Sequence, residues 1–302
     1  MSVLKVCASD GRGLAVQTWG PRSGRPVFVM HGTPGCRLGP RPKAAVLHRL
    51  GMRLISYDRP GYGDSDRLPG RTVAHAAADV EAIADALEVD DFAVVGRSGG
   101  GPHALACAAL LPDRVSAAAV LVGLAPRNAH GLDWYAGMTP GNVEVYRAAE
   151  RGFGSLAAVI RPRAELIRSD PAANLPFADP GLPRSDRRVV ADFTIRTMLV
   201  ENFAEALKHS GDGWLDDASA FCRPWGFDLG GIRAPVLLWH GALDIFSPVG
   251  HSHWLAGQIE TATLAVETSL AHFGAVEALP QVFAWLTSPD PASRDWRAES
   301  VA

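Results

Sequence analysis

The segment Gly96-Arg97-Ser98-Gly99-Gly100 carries the most chemistry in this chain. The apolar run Phe92–Val95 precedes it and an alanine-rich helical pattern follows. A serine on a sharp strand-to-helix turn presents its hydroxyl, and the turn's sterics require small flanking residues. A helix N-terminus beneath such a serine favours developing negative charge. The same glycines could serve a phosphate-binding turn or no chemistry at all, but the strand before and the helix after favour a nucleophile. A serine hydroxyl is weak at neutral pH and needs a base to take its proton. An imidazole, with an ordinary pKa of about 6.5, suits that shuttle, and a carboxylate can orient it. The chain offers ten histidines for the role.

Elements that could position these groups are visible as β-branched runs alternating with helical patterns. Val3–Ala8 and Leu14–Trp19 read as a hairpin around Asp10-Gly11. Val27–Met30, Arg53–Asp58, Phe92–Gly96, Ala117–Gly123, Val236–His240 and Thr263–Glu267 read as further strands. Several are continuously apolar, as strands covered on both faces should be. Helices are expected from a Thr72 cap to about Leu87, over Gly100–Leu111 before Pro112, over Asp192–His209 and near Val276–Leu286. The alternation predicts an α/β fold, a mostly parallel eight-stranded sheet with helices on both faces. Between Pro126 and Gly230 the strand rhythm stops. Residues 1–125 and 230–302 are therefore read as the core domain, and 126–229 as a helical cap insertion.

Composition narrows the class. The chain has 302 residues, 47% hydrophobic and 20% charged, an ordinary globular balance. A net charge of −3 gives no basic surplus for nucleic acid or an anionic membrane. The scattered Cys7, Cys36, Cys107 and Cys222 form no CxxC pair, and no apolar stretch is long enough for a transmembrane helix. Met1–Gly13 lacks the apolar run of a secretory signal, so a cytoplasmic protein is expected, with a loose Pro- and Ser-rich tail after Thr287.

Five motifs in order resemble the α/β-hydrolase superfamily over nearly the whole chain: His31-Gly32-Thr33-Pro34-Gly35, Asp58–Ser65, Gly96–Gly100, His240-Gly241-Ala242-Leu243-Asp244 and Ala271-His272-Phe273. The order Ser98, Asp244, His272 matches that superfamily's Ser…Asp/Glu…His. The resemblance implies that His272 is the base and that Asp244 orients it. The N–H of Gly99, just after the nucleophile, is one expected oxyanion donor, and the resemblance supplies Thr33 as the second. Removing one such donor typically costs about 3 kcal/mol of transition-state stabilisation.

Other residues compete for these roles. His31 in the oxyanion loop, His240 at a strand end and His103 behind Ser98 are read as structural. His251 and His253 lack a carboxylate or cysteine at ligand spacing and read as a helical face. Asp58 reads as a turn residue, Asp133 as a reserve acid and Cys36 as a passive thiol. Serine at the nucleophile position argues against the haloalkane dehalogenase and epoxide hydrolase branches, whose chemistry needs a carboxylate there. The His31–Gly35 loop and Gly99-Gly100 also resemble proline iminopeptidases, in which acidic cap residues hold an amino terminus. Glu201 and Glu205 are spaced for that, although a solvated helix face is the favoured reading.

The insertion is rich in aromatic and large apolar residues, Phe153, Phe177, Phe193, Phe221 and Trp225 among them. Trp134, Met138, Phe203 and Trp214 are expected to line a mostly apolar pocket. The expectation is a serine hydrolase cleaving a carboxylic ester or lactone of a hydrophobic small molecule, without metal or cofactor. Rivals are an aminopeptidase-like amidase, a cofactor-free perhydrolase, a small-molecule receptor that keeps the triad, and a non-hydrolytic biosynthetic protein.

Overall fold

A computed structural model describes residues 3–173 and 181–288. Phe177 and the tail beyond Ser288 lie outside the described residues. The eight strands are β1 (Leu4–Cys7), β2 (Gly13–Trp19), β3 (Arg25–Met30), β4 (Met52–Tyr57), β5 (Phe92–Arg97), β6 (Val115–Leu121), β7 (Val236–Gly241) and β8 (Ala262–Glu267). They form one sheet in the order β1-β2-β4-β3-β5-β6-β7-β8. The β1–β2 and β2–β4 pairs are antiparallel and the rest are parallel.

The central strands are apolar throughout because both faces are covered. Successive side chains point to opposite faces. Phe92, Val94, Ala118, Val120, Val236 and Leu238 therefore belong to one core cluster. Ala93, Val95, Ala119, Leu121, Leu237 and Trp239 belong to the other. Helices α2 (His75–Ala86) and α3 (Gly100–Leu110) cover the first face through Val80, Ile83, Ala104 and Leu105. Helices α1 (Ala44–Arg49) and α10 (Gly274–Leu286) cover the second through Leu47, Leu279 and Phe283.

The start of α2 differs from the sequence expectation. Thr72 does not cap it: its backbone N–H donates to His75 Nδ1 at 3.0 Å and its hydroxyl lies 3.0 Å from the same nitrogen. The helix begins three residues later with Ala74 as N-cap. Thr72 and His75 close a local turn that competes with the cap geometry.

Between β6 and β7 run α4 (Pro140–Arg151), α5 (Phe153–Ser169), α6 (Arg184–Ala191), α7 (Phe193–Leu207) and α8 (Asp212–Phe221). The helix expected at Asp192–His209 is α7, with Asp192 as N-cap accepting from Ile195 N–H at 2.9 Å. These helices build one apolar cluster of their own around Leu156, Ile160 and Leu215, and a second, around Ile167, Leu199 and Phe203, that they share with Cys36, Tyr62 and Phe273 of the sheet side. No helix among the described residues is long and apolar enough to cross a membrane.

Candidate active site

Ser98 sits directly after β5 with φ +54°, in the left-handed region that a residue with a Cβ enters at a cost of order 1–3 kcal/mol. Its N–H donates to Leu121 O at 2.8 Å and its carbonyl accepts from Gly101 N–H at 2.9 Å. The turn is tight enough to exclude side chains around it. A Cβ on Gly96 would come within 2.2 Å of Gly100 O, and one on Gly100 within 2.1 Å of Met30 O. The glycine spacing around Ser98 is thus a packing requirement.

The expected acid and base arrive from the far half of the sheet. His272 follows β8, and its Nδ1–H donates to Asp244 Oδ2 at 2.8 Å. Asp244 is buried after β7 and accepts the N–H groups of Phe246 at 2.7 Å and Ser247 at 3.1 Å. Burial works to raise the Asp244 carboxyl, but His272 and His240 outweigh it and hold the group ionised, well below the usual carboxylate range. The Ser247 hydroxyl donates to Val122 O at 2.6 Å and lies 3.2 Å from Asp244 Oδ2. Val122 carries φ +47°, an uncommon conformation for a β-branched residue, and this strained carbonyl fixes the serine beneath the pair. With Nδ1 engaged, Nε2 of His272 is the nitrogen left to act as base. Ser98 and His272 line one cavity of about 600 Å³.

The loop expected to hold the oxyanion, His31–Gly35, is fixed by buried polar groups. His31 is buried, donates from Nδ1 to Gly32 O at 2.8 Å, and accepts Arg59 N–H on Nε2 at 3.1 Å. That pairing fixes it as a neutral imidazole, and burial pushes its pKa well down. The Arg59 guanidinium donates to His31 O, to Gly32 O at 3.1 Å and to the Thr33 hydroxyl at 3.0 Å. Asp217, on α8, completes the arrangement. Its Oδ2 accepts from Thr33 Oγ1 at 2.5 Å, Arg59 Nη2 at 2.6 Å and Tyr62 OH at 2.9 Å. Its Oδ1 pairs with Arg71 Nη2 at 2.7 Å. Burial opposes ionisation of Asp217, but Arg59 and Arg71 win and hold its carboxyl well below the ordinary range. Thr33 and Gly99 both line the cavity.

The sequence missed Asp217. A signal was present: Trp214, Asp217, Ala218 and Phe221 share one helical face, so a carboxylate stands on a buried stripe. Tyr146, Phe246 and Phe273, which also line the cavity, were missed as well. Of the expected pocket residues, Phe203 and Trp214 line it. Trp134 and Met138 do not. Trp134 is buried in the first core cluster, donates from Nε1 to Ala125 O at 2.9 Å and packs edge-on against Tyr146 at 4.8 Å. Met138 packs in the same cluster. Phe153 and Phe193 are exposed, and Phe221 and Trp225 are buried.

The competing residues fall into structural places. His240 is buried, between Ser252 Oγ at 2.6 Å and Ser247 O at 2.7 Å. His251 accepts Ala125 N–H at 3.0 Å and donates to Trp134 O at 3.1 Å, while His253 is exposed. His103 is buried with Nε2 3.4 Å from Asp217 Oδ1. Asp58 accepts Arg37 N–H at 2.7 Å and Asp64 N–H at 3.0 Å in its turn. Asp133 is exposed. Burial pushes the Cys36 thiol far up, which leaves it protonated. Glu205 pairs with Arg37 at 2.7 Å and Lys208 at 2.8 Å, and Glu201 is exposed; neither lines the cavity. Among the described residues no group of three or more His, Cys, Asp or Glu is placed to hold a metal ion.

A mostly parallel sheet with a strained serine after its fifth strand and a His–Asp pair after its last two defines a class that comparison also reaches. A family model described as the alpha/beta hydrolase fold matches residues 25–273, and the chain belongs to that family. That membership, with the relatives below, supports a hydrolase. A non-heme haloperoxidase of Rhodococcus erythropolis is 30% identical over 279 residues, 88% of this chain and 92% of that protein. A bifunctional esterase/perhydrolase of Acinetobacter calcoaceticus is 31% identical over 122 residues, 40% of this chain and 44% of that protein. Among solved structures, an alpha/beta hydrolase fold protein from Nakamurella multipartita is similar with a TM-score of 0.61 and 26% identity, covering 96% of this chain and 95% of that one.

Proposed function

We propose that the protein is a serine hydrolase of carboxylic esters or lactones, working through Ser98, His272 and Asp244. The 2.8 Å bond from His272 to Asp244, with His272 and the strained Ser98 on one cavity wall, carries this reading. His272 Nε2 takes the proton from Ser98 Oγ as the oxygen attacks the substrate carbonyl. Asp244, held ionised, stabilises the imidazolium that forms. The developing oxyanion is met by the backbone N–H of Gly99 and of Thr33, and Asp217 and Arg59 keep the Thr33 loop from shifting. His272 returns the proton to the leaving alcohol, and water then repeats the sequence on the acyl-enzyme. Residues 126–229 act as the cap, contributing Tyr146, Phe203 and Trp214 to an apolar wall that suits a hydrophobic substrate. Among the described residues no carboxylate lines the cavity, which weighs against an aminopeptidase, since that must neutralise an amino terminus.

The test is turnover of p-nitrophenyl esters by wild type and Ser98→Ala. A burst followed by steady turnover, lost in the variant, is expected; a folded wild type that cleaves no ester refutes the reading. A second reading draws on the names of the two relatives above. The same acyl-enzyme, attacked by hydrogen peroxide in place of water, would release a peracid. Peracid formation from acetate and peroxide, abolished by Ser98→Ala, would establish it.

A further inference from the structure

Arg97 has no part in this hydrolytic scheme, yet it adjoins the nucleophile. It lines the main cavity and also a small side cavity of about 30 Å³ behind the oxyanion loop. A Cβ on Gly32 would stand 3.6 Å from its Nη2, which places the guanidinium beside that loop. Nη1 is buried and has no hydrogen-bond partner. The nearby carboxylates do not satisfy it. Asp244 is committed to His272, Phe246 N–H and Ser247 N–H. Asp186, on α6, accepts Phe273 N–H at 2.7 Å through Oδ1, leaves Oδ2 buried without a hydrogen bond, and acts on Arg97 through space alone. Burial lowers the Arg97 guanidinium to about 10, which still leaves it a cation at neutral pH.

We propose that Arg97 is the anion-binding residue of the cavity, and that the substrate is an ester or lactone carrying a free carboxylate close to its scissile carbonyl. This rests on the serine-hydrolase reading and names its substrate class. The charges around the cavity agree. Among the described residues no Asp or Glu lines it, and a second lining cation, Arg163, is already paired with Glu144 at 2.5 Å and with Gly141 O at 3.1 Å. Asp186 and Asp244 favour the charged guanidinium through space but give Nη1 no hydrogen bond, and a bound carboxylate would supply a direct partner. The planar fork of a guanidinium matches a carboxylate through two parallel hydrogen bonds. Leu124, Val145, Ile167, Phe203, Trp214 and Phe246 make much of the remaining wall apolar. The substrate is therefore an apolar molecule with one acidic group.

The test compares monoethyl succinate, glutarate and adipate with their neutral diethyl esters, in wild type, Arg97→Gln and Arg97→Lys. Wild type is expected to prefer at least one monoester by tenfold or more in kcat/KM. Arg97→Gln should collapse that ratio at least tenfold, mainly through KM, and Arg97→Lys should fall between. Equal turnover of charged and neutral esters by wild type overturns the proposal, as does a preference that survives Arg97→Gln. Equal turnover would mean that Asp186 swings to neutralise Arg97. If no ester is cleaved, calorimetric binding of monoethyl glutarate to Ser98→Ala separates the two ideas. Binding that Arg97→Gln abolishes keeps the anion site while the hydrolase reading falls; no binding removes both. Should Arg97→Gln fail to fold, the wild-type ratio and inhibition by glutarate against neutral glutaramide decide alone.

Discussion

A methyl group on Gly100 would stand 2.1 Å from Met30 O, a contact that no rotamer change can relieve because both partners are backbone. Gly100→Ala should therefore destabilise the fold by about 1–3 kcal/mol or more and cost most of the activity. Urea denaturation and ester turnover on one preparation check both. A second expectation at the scale of single residues concerns acid. His251 accepts Ala125 N–H on Nδ1, so protonating that nitrogen would set two donors against each other. Burial lowers its pKa from 6.5 to about 4. The unfolded chain binds the proton first as pH falls, so stability is full above about pH 6.5 and declines until about pH 4. The gap corresponds to roughly 3 kcal/mol. His31 and His103, also buried with pKa values pushed well down, add to the loss in the same direction. Urea midpoints measured from pH 7.5 to 4.5 should fall steadily, and His251→Gln, which keeps one donor and one acceptor, should flatten the slope. Ser98, Asp244 and His272 were legible because each sits in a short motif at the end of a strand. Arg97 and Asp217 were not, because their meaning lies in who surrounds them, and the sequence does not say which charges are left unpaired.

Helix α8 joins the inserted helices to the chemistry, and its two adjacent aspartates differ sharply. Asp217 is wholly buried between Arg59 and Arg71, while Asp216, also buried, pairs with the single, partly exposed Arg67 at 2.8 and 3.0 Å. Asp217→Asn should cost about 3–5 kcal/mol, because two buried guanidiniums lose their counter-charge. Asp216→Asn should cost less, about 1–3 kcal/mol, because Arg67 is partly exposed and keeps Asp212 as a partner at 2.7 Å. Chemical denaturation of the two variants measures the contrast. Elements themselves were well marked: all eight strands fall within three residues of the runs read from β-branched periodicity. The start of α2 was not, because Thr72 spends its hydroxyl and N–H on His75 rather than on the helix. Trp134 and Met138 were misplaced for a related reason. Aromatic content marks an apolar region, but only packing decides that Trp134 turns its indole N–H to Ala125 O and its ring to the core.

At the scale of the molecule, the cavity lies where the ends of β5 and β6 and the loops after β7 and β8 meet helices α4, α5, α7 and α8. The sheet carries Ser98, Asp244 and His272, and the inserted helices supply much of the wall. Trimming that wall should change which acyl chain is accepted before it changes the rate of the bond-breaking step. Phe203→Ala and Trp214→Ala are each expected to shift the optimum of a p-nitrophenyl ester series toward longer chains, read as kcat/KM from acetate to decanoate. The division of labour is incomplete at one point, however, and this bears on recombination between relatives. Asp217 comes from the insertion, whereas Arg59, Arg71 and Thr33 belong to the sheet side. A chimera that keeps this sheet and borrows residues 140–221 from another member of the family inherits two buried cations and a loosened oxyanion loop, unless the borrowed helix brings a carboxylate to the same spot. The inserted helices are therefore not a module that can be traded freely; a single carboxyl group decides which donors are compatible.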